Sequence, residues 1–210
     1  MPNFTDLTGL GSTAIAVVAM LMQIPATAHI PKVRLVVFLG AVFVLSLLPF
    51  GEMPITAYIR GVTGDLSITT LVLLLNVPVT KILSQLFPRV GTTAPKARAL
   101  LMLVAFTSAA FYPLALGIGM FDPYRMGYGD PFFITALLLI ILFAWFKKST
   151  LIVLCIVLST LTWSLNWYES SNLWDYLLDP FLAIYALVST TRLLGRRFLN
   201  RNPLHKSSKT

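Results

Sequence analysis

The triplet Asp-Pro-aromatic occurs three times, at Asp122-Pro123-Tyr124, Asp130-Pro131-Phe132 and Asp179-Pro180-Phe181. A carboxylate just before proline suits a helix start, because it accepts orphan amide hydrogens and proline is pre-set for the first helical position. Capping is therefore the simplest chemistry open to these acids. A second becomes available if they converge with Glu169, Asp175, Arg125 and the aromatic residues Tyr124, Trp167 and Trp174. Such an acidic, aromatic basin could hold a sugar, a cation or a basic loop of a partner. Two of its carboxyls at a suitable separation could do acid-base chemistry.

Asn76 and Pro78 are the next candidates, since a polar amide and a helix breaker coincide inside the apolar run LSITTLVLLLNVPVTKIL. Proline has no amide hydrogen and frees the carbonyl one turn earlier, at Leu74. The simple expectation is a kink whose freed groups are met by neighbouring helices. The alternative is a polar path for a small or lipid-linked solute, built from Asn76, the Pro78 break and the hydroxyls of Ser159, Thr160 and Thr162. Arg60 and Asp65 form a further possible pair in the connection before this run. Arg60 and Arg125 are the only cations among the acids at their end of the chain's segments, so one of them is expected to neutralise Asp122, Asp130 or Asp179.

No phosphate loop, dinucleotide turn, zinc-protease signature or nucleophile elbow occurs. Cys155 is the single cysteine and sits inside an apolar run, where it is expected to pack as a small hydrophobe. His29 and His205 are far apart. No metal and no cofactor is expected.

The elements that must position these residues follow from composition. With 57% hydrophobic residues, 11% charged and a mean hydropathy of +0.81, the chain falls far outside the soluble range of roughly a quarter charged residues. It reads as an all-α, polytopic transmembrane helix bundle of about seven spans. The first reaches about Ile24 and is expected to be an uncleaved helix with a seam of small residues at Ser12, Ala16 and Ala19. An inner turn with Pro25 and Pro31 follows. The remaining spans are expected at Val33 to Phe50, from Asp65 (as cap) onward, Ala99 to Met120, Pro131 to Phe146, Leu151 to Trp167, and Pro180 to Leu194.

Charge sets the orientation. Under this segmentation all eight acids fall on one side, and fourteen of the sixteen cations on the other. By the positive-inside rule the N-terminus is out and the C-terminus in. Residues 1–194 form a single membrane domain and 195–210 a basic cytoplasmic tail, in what is expected to be a bacterial inner (plasma) membrane. The net charge of +8 is then a topology signal and a contact for anionic headgroups of the lipid bilayer, not a nucleic-acid surface. No ionisable residue falls near a bilayer midplane, which argues against a proton-coupled pump. The expected function is a non-catalytic accessory or scaffold subunit that packs against another membrane protein or a second copy of itself. A channel or facilitator, and an interfacial enzyme using the acids, are the alternatives.

Overall fold

A computed structural model describes residues 3–24, 32–86 and 97–201. Pro25, His29, Pro31, Arg89, Lys96 and the tail 202–210 lie outside the described residues. The chain is all-α apart from one short hairpin. Seven helices of 15 to 22 residues are α1 Phe4–Met22, α2 Lys32–Leu47, α4 Ile68–Leu86, α5 Arg98–Ala115, α6 Pro131–Phe146, α7 Thr150–Ser164 and α9 Pro180–Arg201. Each occupies one of the predicted apolar runs. Among the described residues, α1 and α5 are long and apolar enough to cross a membrane, while α2, α4, α6 and α7 carry shorter apolar stretches.

Several features differ from the expectations. The connection between α2 and α4 is not a plain loop. Pro49–Phe50 (β1) pairs antiparallel with Met53–Pro54 (β2) across a turn at Gly51, whose φ of 77° suits glycine, and the helix α3 Ile55–Thr63 follows. Asp65 does not cap α4: Ser67 Oγ accepts from the Thr70 amide instead, and Asp65 turns to Arg60. The run expected to reach Met120 stops at Ala115, and Gly117 and Gly119 beyond it both have positive φ. The acidic segments before α6 and α9 hold a 3-10 helix, Pro123–Tyr128, and a short helix, α8 Leu173–Leu177. Helix α9 also continues past Leu194 to Arg201.

The arrangement of apolar residues explains the packing. The α1 face that meets its neighbours is built from small residues, with Ser12, Ala16 and Ala19 all buried. Large apolar residues point outward, as Val33, Val36 and Val37 do on α2 and Phe132, Phe143 and Phe146 on α6. Helix α5 packs along α9, and Leu100, Val104 and Phe111 join Phe133, Leu137, Ile152, Cys155 and Tyr176 in the interior. Cys155 packs there as expected. Alternation of chain direction gathers the starts of α1, α4, α6 and α9 and the end of α7 at one end of the bundle. That is the acidic end. Arg98, Lys147, Lys148, Arg192 and Arg196 mark the other, basic end.

Candidate functional site

Three polar clusters close the acidic end. The first centres on Arg60, in the last turn of α3. Its Nε and Nη2 donate to Asp65 Oδ1 and Oδ2 at 2.6 and 3.0 Å, and Nη2 also donates to Glu169 Oε1 at 3.0 Å. Asp6 Oδ1 lies 3.6 Å from Nη1. The guanidinium rests on Gly9, where a Cβ would stand 2.7 Å from Cζ. A larger residue at this place on α1 would push the guanidinium aside. The Asp65 carboxylate, bonded to the guanidinium, holds the arginine well above its ordinary pKa, and Glu169 adds to this. An open cavity of about 690 Å³ lies over the cluster, walled by Asp6, Arg60, Asp65 and Glu169.

The second cluster is Asp179, which is only 4% exposed. Its Oδ1 accepts from the Leu182 amide at 2.8 Å, the cap predicted for α9. Its Oδ2 accepts from the Ser67 amide at 3.1 Å, from Ser67 Oγ at 2.7 Å and from Thr70 Oγ1. One buried carboxylate thus finishes the starts of two helices, α4 and α9. Two positive helix ends aimed at one anion replace the cation that a buried carboxylate otherwise needs. The sequence signals the first half through Asp-Pro, but nothing local to Ser67 announces the second.

The third cluster straps the 3-10 helix to α8. Asp175 Oδ2 accepts from Tyr124 Oη at 3.0 Å and from Ser170 Oγ. Asn172, fully buried, donates from Nδ2 to the Tyr124 carbonyl at 2.9 Å and accepts the Trp174 amide at 2.9 Å. Trp174 Nε1 donates to the Pro123 carbonyl at 2.9 Å, and its ring lies 4.4 Å from those of both Phe111 and Phe133. Gly127 is required here, since a Cβ would fall 1.8 Å from Asn172 Oδ1. Burial, and then the nearby Asp175 carboxylate, push the Tyr124 hydroxyl well above its ordinary pKa. Burial does the same to Tyr168, whose hydroxyl donates to the Leu66 carbonyl at 2.9 Å and whose ring stacks on Tyr176. Asn172, Tyr168 and Tyr176 were not among the candidate site residues read from the sequence. Their chemistry is ordinary for loop residues, and only the packing sets them apart.

The nine residues predicted to line one basin are therefore divided. Asp122 and Asp130 cap their own helices, accepting from the amides of Tyr124 and Phe133 at 3.0 Å each. Trp167 joins α1, donating from Nε1 to Ser12 Oγ at 3.2 Å. Arg125 is exposed and has no ion pair among the described residues. The expectation that Arg60 or Arg125 pairs with Asp122, Asp130 or Asp179 is corrected: Arg60 takes Asp6, Asp65 and Glu169. Those three reach it because α3, unforeseen in the sequence, turns it towards α1 and the end of α7.

Pro78 is buried, and Asn76 is half-buried. The Leu74 carbonyl freed by the proline accepts from Gln23 Nε2 of α1 at 3.3 Å, so a neighbouring helix supplies the missing rung. Asn76 and Gln23 lie on the wall of an apolar cavity of about 710 Å³ that reaches α1, α4, α5 and α9. Ser159, Thr160 and Thr162 are not on that wall. Ser159 donates to the Tyr176 carbonyl, and the two threonines donate back to carbonyls of α7. The five polar-path residues do not share one channel.

Among the described residues no three His, Cys, Asp or Glu side chains are grouped to hold a metal. The fold and site together define an all-α helical bundle whose acidic end is tied by internal hydrogen bonds. Comparisons with protein-family models, curated proteins and solved structures found no match.

Proposed function

We propose that the chain is a polytopic inner-membrane protein of seven spans, N-terminus out and C-terminus in, serving as a non-catalytic accessory or scaffold subunit of a cell-envelope enzyme or transport complex. The observation that carries the subunit reading is the use made of the acids. Seven of the eight have a partner within the chain: Asp122, Asp130 and Asp179 cap helices, Asp6, Asp65 and Glu169 surround Arg60, and Asp175 holds Tyr124. Each of these seven carboxylates is engaged in a cap or a pair, a use that favours a structural role over acid-base chemistry. Membrane placement is supported by the outward apolar faces and by the separation of acidic from basic ends. Helix α2, which among the described residues packs mainly on α1 and α3, leaves Val33, Val36 and Val37 for lipid or a partner subunit.

Purification in mild detergent tests the subunit reading. A second membrane protein at fixed stoichiometry is expected, and a lone chain with an activity of its own would overturn it. A cysteine at Ser207 should react only from the cytoplasmic side of intact cells, and the buried Cys155 leaves that background low. Labelling from outside would reverse the topology.

One observation favours a second reading, a facilitator for a lipid-linked solute. The cavity of about 710 Å³ falls within the range of about 300–1,000 Å³ typical of ligand pockets, and Asn76 stands on its wall beside the Pro78 break. Transport by the chain alone in reconstituted vesicles, lost in Asn76→Leu, would favour this reading over the first.

A further inference from the structure

Helix α3 lies between two unlike cavities. Ala57, Arg60, Gly61 and Gly64 give one of its sides to the polar cavity of about 690 Å³, and Ile59 and Thr63 give another to the apolar cavity of about 710 Å³. At about 100° per residue, a third arc carrying Ile55, Tyr58 and Val62 adjoins the Ile59 side. All three are exposed, Val62 by 85%. The polar side chains of α3 are engaged within the chain: Thr56 donates to the Ser46 carbonyl at 3.1 Å, Thr63 to the Ile59 carbonyl at 3.0 Å, and Arg60 to Asp65 and Glu169. The helix is therefore amphipathic, with polar groups turned to protein and an apolar arc turned away from it.

The hairpin before α3 extends the same surface. Leu48, Phe50 and Met53 are exposed just ahead of Ile55, and Leu48 continues the outward row of α2 that holds Val44 and Leu45. None of these side chains is charged, and Glu52 stands at the turn itself. Tyr58 carries its hydroxyl to that turn, 3.9 Å from where a Cβ on Gly51 would stand, so its apolar body and its polar tip face different surroundings.

Depth follows from α1. The Arg60 guanidinium rests on Gly9, five residues after the helix begins at Phe4, or about 8 Å at 1.5 Å per residue. Along α1 the lining passes from the polar cavity at Leu10 to the apolar one at Thr13. Interfacial helices bury their apolar side about 5–10 Å into the boundary between headgroups and acyl chains. We propose that β1, β2 and α3 form a foot in the outer-leaflet interface, with Phe50, Ile55, Tyr58 and Val62 set against acyl chains and the Arg60 cluster kept on the water side. The inference rests on the membrane topology proposed above. Two observations favour lipid over a second protein as the occupant. The surface is continuous with the outward apolar row of α2, and its six residues fall short of the about 20–30 a side that a stable protein interface uses.

The test is spin labelling of single added cysteines in the full chain, reconstituted in phosphatidylcholine vesicles. Val62→Cys reads the arc, Glu52→Cys the turn, and Leu139→Cys, in the middle of α6, the bilayer itself. All three positions are exposed, so the labels leave the packing intact. Cys155 is buried, and the parent chain treated in the same way is the blank. The Val62 label is expected to collide more with oxygen than with a water-soluble nickel chelate, as the Leu139 label does, with the order reversed at Glu52. The proposal is overturned if the Val62 label meets the chelate as freely as the Glu52 label. It is equally overturned if that label is immobile and reached by neither reagent, which would mean that protein covers α3. A Leu139 label open to the chelate overturns the membrane reading, so the two failures are told apart.

Discussion

The two ends of the bundle handle the same physical problem in opposite ways. Every helix start leaves amide hydrogens without acceptors, and in apolar surroundings these must be met. At the acidic end the chain meets them itself, with Asp122, Asp130 and Asp179 as caps and Asp179 serving two helices at once. At the basic end α5 begins after an alanine, with Arg98 unpaired and Thr190 unmet nearby. One end is finished by intramolecular bonds and resists change. The other has no such side-chain cap at the start of α5.

Substitutions at the acidic end put this contrast to the test. The largest effect is expected from Asp179→Ala, which strips acceptors from the Ser67 and Leu182 amides and from two hydroxyls. A loss of about 3 kcal/mol in detergent unfolding is expected, from two caps and charged hydrogen bonds. Asp179→Asn, which keeps one acceptor oxygen, should lose less. If Asp179→Ala melts like the parent, the acidic end is not the rigid one.

Gly127→Ala comes next. Its methyl would sit 1.8 Å from Asn172 Oδ1, and overpacking of this kind costs about 2 kcal/mol. The loss should be accompanied by weaker protection of the 123–128 amides in hydrogen exchange. Alkaline pH attacks the same strap. The fold favours the neutral Tyr124 hydroxyl, so its contribution is full below the ordinary tyrosine value of about 10 and fades as pH rises through the raised value. Stability should fall above that pH, and Tyr124→Phe should make the fall shallower without abolishing it, because Tyr168 shifts in the same direction.

The smallest effect is expected at Asn76→Leu, about 1 kcal/mol or less, as measured for hydrogen bonds inside membranes. A much larger loss would place a second rigid centre away from the acidic end.

The long helices were legible because apolar runs and Asp-Pro starts are local signals: α6 begins and ends where the sequence places it, Pro131 to Phe146. The carbonyl freed by Pro78 was foreseeable for the same reason, although its donor, Gln23, was not. The site was less legible. Arg60 reaches Asp6 and Glu169 only because α3 forms, and α3 lies in a stretch whose Gly and Pro residues read as turns. The single basin expected from eight acidic and aromatic residues and Arg125 depended on distances that sequence spacing does not carry. Asn172, Tyr168 and Tyr176 became visible only once tertiary packing had buried them.

Asp179 also has a meaning in time. The amide it completes at Ser67 lies 112 residues earlier in the chain. At about 5–20 residues per second, synthesis of that interval lasts on the order of 10 s. Throughout it, α4 exists without its final acceptor, and its start is held only by local bonds such as Ser67 to Thr70. A helix made 112 residues later is therefore the one that locks α4. A nascent chain halted before residue 179 carries an α4 whose start lacks the Asp179 acceptor.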